Sequence, residues 1–475
     1  MISRFFGAVD IGASGGRVIG AVIDDGQVTL RTVHRFPNGP VRRDTELRWD
    51  ITAIFEQVLV GLELLGKEFP QVESIGIDTW GVDYALLDAE CRLLGDPVSY
   101  RDHRTRAVID QVHHSIDPPE LYRINGLQFL PFTTLYQLAA ERAGSLWDRA
   151  AYVVLLPDLL SYWLTGILGT ELTNASTTGL LDATTGTWSP KILDVLGVPV
   201  EMLPPLRRPG TVLGPLSETA ATRTGLSPSV AVTTVTSHDT ASAVVAVPAT
   251  SRPFAYISSG TWSLVGTELE GPILSKEAED ANFTNERGVD DHIRFLRNVG
   301  GLWLLQESMR SWAVRDRSRE LALMLREAAA LPSGGPLIDV DDPDLIAPDN
   351  MPERIQIAAR LLGQSAPPTP AATMRCILDS LACAYSKTLD QLVALCGLDT
   401  DTIHIVGGGS QNALLCQLTA DFASKTVEAG PTEATALGNA IVQARAFGAL
   451  PSDLSEVRRS LAEVEPPVRY VPGNR

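Results

Sequence analysis

Apolar and polar positions alternate in closely spaced blocks from the start of the chain. Segments 7–11, 18–23 and 28–33 predict three short strands joined by tight turns. The period then lengthens: apolar residues recur at helical spacing from 51 to 66, and the β-branched run ESIGID at 73–78 predicts another strand. Residues 105–210 read as helix-rich and broken by prolines. EMLPPLRRPGTVLGPL (201–216) reads as a connection rather than a core element. A new unit opens with the strand-like VAVTTV (230–235) and the helix start in SHDTASAVVAV, followed by strand, turn and strand in AYISSGTWSLVG (255–266). Helical patterns fill about 300–330 and 371–396. A strand beginning at 403 runs into GGG, and helix-like segments cover 413–423 and 433–446. Alternation of this kind predicts an α/β fold. The break at VPATSRP sets two domains, 1–246 and 254–450, with 451–475 as a tail. VDIGASGGRVIGAVI and AYISSGTWSLVG echo each other, each a hairpin with Gly and small hydroxyl residues at its tip.

At 475 residues the chain is too long for one core and suits two domains. No apolar run approaches the roughly 18 residues of a membrane span. MISRFFGAVDIG enters a strand without an apolar leader, so a cytoplasmic, non-membrane protein is expected. The net charge of −18 argues against a nucleic-acid partner. It also sets a condition: an acidic protein that binds a polyanion needs backbone N–H groups at tight turns, a bound cation, and a few placed Arg or Lys. The five cysteines form no CxxC pair and read as small buried hydrophobes in a reducing compartment.

Glycine turns beside carboxylates meet that condition in several places. In VDIGASGGR a strand delivers Asp10 to a turn holding Ala13, Ser14, Gly15, Gly16 and Arg17. Such a turn can aim N–H groups at phosphate oxygens, and Asp10 can hold a hydrated Mg²⁺. An ordinary Gly-rich hairpin explains the segment equally well. It is neither a GK[ST] phosphate loop nor a GxGxxG fingerprint. In SIGIDTWGVDYALLD, Asp78 and Asp83 flank Trp80 and Gly81 at a strand end, which suits a sugar with one apolar face and many hydroxyls; the plain alternative is a core Trp with solvated aspartates. In VTSHDTASA, Asp239 starts a helix after a strand, a place for an N-cap or for a carboxylate that takes a proton from an attacking hydroxyl. His238 reads as structural or substrate-orienting. The Ser258–Thr261 turn and the GGG before SQN offer two further phosphate or nucleotide contacts.

Together VDIGASGGR, IGIDTWGVDYALLD, YRDHRT, LQFLPFTTLYQL, SHDTASAV, SSGTWSLVG, GLWLLQE and VGGGSQN resemble the FGGY family of carbohydrate kinases over about residues 5 to 450. The resemblance implies two actin-like (ribonuclease H-like) ATPase domains with a ligand cleft, and ATP and Mg²⁺ as cofactors. It implies Asp239 as proton acceptor, and Ala13 to Arg17, Thr261, Gln306 and Gly409 as nucleotide contacts. Gly81, His238, Thr240 and Asn298 would contact the sugar. IDTWGVD and QFLPFTTLYQ are most similar to the branch acting on L-rhamnulose at its first-carbon hydroxyl. Another ketose such as L-fuculose or a pentulose remains open, as does an actin-like ATPase or sugar sensor without transfer. Family members often read ASSGR where this chain has ASGGR, so Gly15 keeps the turn and drops a hydroxyl.

Overall fold

The computed structural model describes residues 3–251, 253–312, 317–346 and 348–473. Its chain divides into two compact units. The first joins Met1–Thr250 with Glu268–Phe295 and Glu433–Glu465; the second joins Ser251–Thr267 with Leu296–Thr432 and Pro466–Arg475.

The first unit is built on strands β1 (Arg4–Gly12), β2 (Gly15–Asp24), β3 (Gln27–Pro37), β4 (Ser74–Thr79), β5 (Val212–Pro215) and β6 (Ala231–Thr233). They form one sheet in the order β5-β6-β4-β1-β2-β3. β1 runs antiparallel to β2 and parallel to β4, and β6 continues the parallel set. A sheet covered on both faces needs apolar residues at successive positions rather than alternating ones. β1 supplies them: Phe6, Ala8, Val9 and Ile11 are fully buried. Val9, Ile11 and Val18 pack with Ile54, Val58 and Leu62 of the Ile51–Glu68 helix. Ala8 and Ile19 pack with Ala436 of the Ala434–Ala446 helix on the other face. The first helix starts where Asp50 accepts a hydrogen bond from the Ala53 N–H, at 3.0 Å. Burial of each Leu or Ile on its inner face is worth about 1.5–3 kcal/mol.

One segment departs from its sequence pattern. Part of 201–216 is not a connection: β5 pairs antiparallel with β6, with a register shift between Val212 and Gly214. Gly214 and Pro215 erase the alternation that marks a strand, and an edge position tolerates a proline that cannot donate to a ladder.

The second unit carries β7 (Ala255–Ser259), β8 (Trp262–Leu269), β9 (Ile293–Gly300), β10 (Thr402–Val406), β11 (Thr426–Ala429) and β12 (Val468–Tyr470). Their order is β9-β8-β7-β10-β11-β12, and the strand Thr284–Arg287 extends the sheet beyond β9 as a seventh strand. β7 is antiparallel to β8 and parallel to β10; β11 is parallel to β10 and antiparallel to β12. Apart from the added edge strand, this repeats the order of the first sheet, and the two hairpins that echo each other in the sequence, β1–β2 and β7–β8, hold corresponding places. The Pro370–Cys396 helix is capped by Thr369 and buries Met374, Ile377, Leu378, Leu381 and Tyr385. All five cysteines are free. Cys376 and Cys416 are buried, which pushes their thiols up to about 11 and about 12 and leaves them inert. Among the described residues no helix is long and apolar enough to cross a membrane.

Candidate active site

Three carboxylates converge where the parallel strands of the first unit end. Asp10 on β1 and Asp78 on β4 are register partners. Beyond β6 the backbone stays aligned with β4: the Thr79 N–H donates to the Ser237 carbonyl at 2.9 Å, and Thr79 bridges His238. The next residue, Asp239, opens the Asp239–Val245 helix. The carboxyl ends of parallel strands are where α/β sheets collect ligand-binding groups, and the sheet places all three acids there.

Their electrostatics differ. Asp10, only 4% exposed, accepts from Arg17 Nη2 at 2.6 Å. Burial still pushes its carboxyl up to about 6, against the pull of Arg17 and helped by the charge of Asp239. Asp78 is fully buried. Its Oδ2 accepts from Asn439 Nδ2 at 2.6 Å, and its Oδ1 has no hydrogen-bond partner among the described residues. Burial, then the neighbouring Asp10, raises its pKa well above the carboxylate range. Asp239 is raised by burial and drawn back by His238, Thr240 and Arg294. Arg17 also pairs with Glu433, which Arg35 approaches at 3.2 Å.

Ala13 and Ser14 form the two-residue turn between β1 and β2, with Gly12 opposite Gly15. Asn38 Nδ2 donates to the Gly12 carbonyl at 2.8 Å and pins the turn. Gly16 is required here because a Cβ would strike the Phe36 ring at 2.2 Å, whereas at Gly15 it would make an ordinary 3.5 Å contact. Thr240 Oγ1 donates to Asp239 Oδ1 at 3.1 Å, and His238 Nε2 lies 3.5 Å from the same oxygen. At Gly81 a Cβ would lie 2.9 Å from Thr177 Oγ1. The next residue, Val82, has φ 69°, a left-handed conformation that strains a β-branched side chain. Thr177 holds its N–H, while Thr134 and Gln137 donate to its carbonyl.

Trp80 and Asp83 are not open to a sugar as the sequence pattern allows. Trp80 packs on Trp49 with ring centroids 4.2 Å apart and is 6% exposed. The Asp83 carboxylate accepts from Trp49 Nε1 (2.6 Å), Trp80 Nε1 (2.9 Å), Gln137 Nε2 (3.0 Å) and the Tyr100 N–H (3.2 Å). Three of these donors converge on Oδ2 and the fourth, Gln137, reaches Oδ1, so the carboxylate is engaged by the core on both oxygens. The pair is a buried polar knot of the core.

In the second unit Thr261 sits in the β7–β8 turn, its carbonyl accepting from the Trp303 N–H at 3.1 Å. Gly409 lies in the Gly408–Gln411 turn that follows β10, where a Cβ would fall 2.0 Å from Ser259 Oγ. Close approach thus demands glycine at 409. Gln306 is exposed in the Trp303–Ser311 helix, and Asn298 is half-buried on β9. The fold therefore groups Asp10, Arg17, His238, Asp239 and Thr240 in one unit, and Thr261 with Gly409 in the other. Sequence patterns missed Asn439, Glu286 and Arg294, whose partners lie 361, 48 and 56 positions away; only contact with a carboxylate or His238 reveals them.

Models of two domains match this chain. The N-terminal domain of the FGGY family of carbohydrate kinases matches residues 5–246, and the C-terminal domain matches 255–447. The rhamnulokinase of Enterococcus faecalis is 43% identical over 450 residues, 94% of this chain and 90% of that protein. That of Bacillus subtilis is 39% identical over 452 residues, 95% and 92% of the two chains. Among solved structures, gluconate kinase from Lactobacillus acidophilus aligns with a TM-score of 0.79 at 17% identity, over 99% of this chain and 94% of that one. Glycerol kinase from Plasmodium falciparum with ADP aligns at 0.77 and 15%, over the same shares. These two likenesses show the fold, that of the two-domain actin-like sugar kinases. The matched domains and full-length relatives show more: the chain belongs to the FGGY family of carbohydrate kinases, enzymes that phosphorylate sugars with ATP.

Proposed function

We propose that this kinase transfers the γ-phosphoryl group of ATP to the first-carbon hydroxyl of L-rhamnulose, giving L-rhamnulose 1-phosphate and ADP in L-rhamnose breakdown. The observation that carries the reading is the 43% identity to a rhamnulokinase over 94% of the chain. The geometry of the first unit supports the chemistry. Asp239 is half-buried, with its side chain 29% exposed at the end of the parallel strands. A carboxylate there can orient a hydroxyl and accept its proton as the bond to phosphorus forms.

Gly81, His238, Thr240 and Asn298 are proposed to bind the sugar. Ala13 to Arg17 are proposed to face the phosphates, and Thr261, Gln306 and Gly409 the nucleotide. Residues 1–246 would then hold sugar and phosphate, 254–450 the nucleotide, and 451–475 a tail. A magnesium ion fits beside Asp10: Asp78 Oδ1 has no hydrogen-bond partner among the described residues, and the repulsion between neighbouring acids that helps raise Asp10 and Asp78 is what a cation would relieve. Among the described residues no three His, Cys, Asp or Glu side chains come close enough to ligate a metal directly, so Asp10 would hold it largely through water. When bound, the ion offsets charge on the phosphate oxygens. We place the reaction in the cytoplasm, where ATP is supplied.

The test is ADP release with and without L-rhamnulose. Sugar-dependent release, lowered about 10²-fold or more in Asp239→Asn with sugar binding kept, supports the reading. Sugar-independent hydrolysis, or an active Asp239→Asn, refutes it.

A further inference from the structure

Behind His238 lies a buried ion pair that nothing above uses. Glu286 comes from the strand Thr284–Arg287 and Arg294 from the start of β9, joined by the short turn Val289–Asp291. Arg294 is fully buried and Glu286 is 5% exposed. Arg294 Nη2 donates to Glu286 Oε2 at 2.9 Å and to His238 Nδ1 at 3.2 Å; its Nε donates to the Arg287 carbonyl at 3.1 Å. Burying a guanidinium and a carboxylate costs several kcal/mol that their attraction only roughly offsets, so such a pair is weak evidence of stability. Its placement suggests another use.

An arginine can only donate. Glu286 Oε2 also lies 3.4 Å from Nδ1, but the guanidinium is nearer at 3.2 Å; with Arg294 donating to Nδ1, that nitrogen carries its lone pair and the imidazole proton belongs on Nε2. Nε2 faces Asp239 Oδ1 at 3.5 Å, and Thr240 Oγ1 donates to the same Oδ1 at 3.1 Å. Among the described residues both side-chain partners of the base meet Oδ1, and no side-chain donor reaches Oδ2. The two oxygens of the base are thereby unequal: Oδ1 is held, Oδ2 is open.

We infer that Arg294 is a positioning residue for phosphoryl transfer, fixing His238 as the Nε2-protonated tautomer so that Asp239 presents Oδ2 to the sugar. The inference rests on the reading of Asp239 as base. In the step, the sugar oxygen bonds to the γ-phosphorus while its O–H bond breaks and the proton passes to Oδ2. The bond between phosphorus and the bridging oxygen breaks, and its electron pair leaves on ADP. Glu286 keeps the guanidinium neutralised and aimed, and the Arg294 charge holds its own carboxyl below the usual range despite burial.

Three measurements test this. In the intact enzyme labelled with ¹⁵N-histidine, the His238 signal, assigned by its loss in His238→Gln, should show Nδ1 unprotonated and Nε2 protonated. Arg294→Lys keeps a cation for Glu286 and loses the rigid fork in which Nε is held by the Arg287 carbonyl while Nη2 reaches both Glu286 and His238. It should lower kcat about 10–100-fold, the scale for a mispositioned catalytic group, while sugar affinity by calorimetry stays within about threefold. Arg294→Met with Glu286→Leu removes both charges together and should show the same split with its thermal midpoint kept. A protonated Nδ1 in the wild type, or kcat within about twofold of wild type in Arg294→Lys, overturns the inference. Asp239→Asn separates the two claims: if that variant is active the base is misassigned, and if only the Arg294 variants are active the positioning role alone fails.

Discussion

Gly438→Ala is the sharpest single test of how the site is held. Gly438 lies in the Ala434–Ala446 helix, and a Cβ there would fall 1.8 Å from the Ser242 carbonyl oxygen and 2.6 Å from its carbon. Both atoms are backbone of the helix that begins with Asp239, so no rotamer change relieves the clash; the helices must separate by about 1 Å. Overpacking of this kind costs about 1–3 kcal/mol, and the better helix propensity of alanine returns about 1 kcal/mol. The same shift drags the next residue, Asn439, away from Asp78 Oδ2, now 2.6 Å distant. Leaving the buried Asn439 amide and Asp78 Oδ2 without each other adds about 1–3 kcal/mol. The net expectation is about 3 kcal/mol, or a calorimetric midpoint about 6–12 °C lower for the first unit. Displacement of Asp239 should also cut kcat by about 10–100-fold at 25 °C, where the variant is still folded. An unchanged midpoint with full kcat would refute the packing argument.

Two further expectations concern buried carboxylates. Asp83→Ala leaves the donors of Trp49, Trp80, Gln137 and Tyr100 unpaired, and should cost about 3–5 kcal/mol in urea unfolding. For Asp10, folding raises the carboxyl pKa from 3.8 to about 6. Both states are protonated at lower pH; between about pH 4 and pH 6 the unfolded chain ionises first, so wild-type stability falls as pH rises through that window. Asp78 and Asp239 bend the curve the same way. Asp10→Asn should flatten part of this slope, gain stability at pH 7 relative to pH 4, and lose turnover. A steeper slope, or retained turnover, would contradict its assignment.

The strands, the hairpin echo and the positions of Asp10 and Asp239 were legible in the sequence because they depend on local pattern: apolar runs ending in a carboxylate beside glycine or a helix start. What was not legible depends on distant partners. Trp80 and Asp83 look like a sugar platform in the string IDTWGVD, yet Trp49 and Gln137 turn them into core. Asp78 gains its role from lying opposite Asp10 and beneath Asn439. The alternating stretch NERGVDDHIRF carries no motif, and only folding brings Glu286 and Arg294 behind His238. The strand Val212–Pro215 was hidden because glycine and proline interrupt the alternation by which strands are recognised.

The central claim is the identity of the sugar. Burial of one methyl group is worth only about 1–3 kcal/mol, so a ketose lacking the terminal methyl should be a partial substrate. A hydroxyl epimer leaves a buried polar group unpaired and should fare worse. Specificity constants from coupled ADP release should rank L-rhamnulose first, then the sugar lacking only the methyl, then L-fuculose, with D-xylulose and glycerol poor. The highest specificity constant for D-xylulose or glycerol would contradict the account.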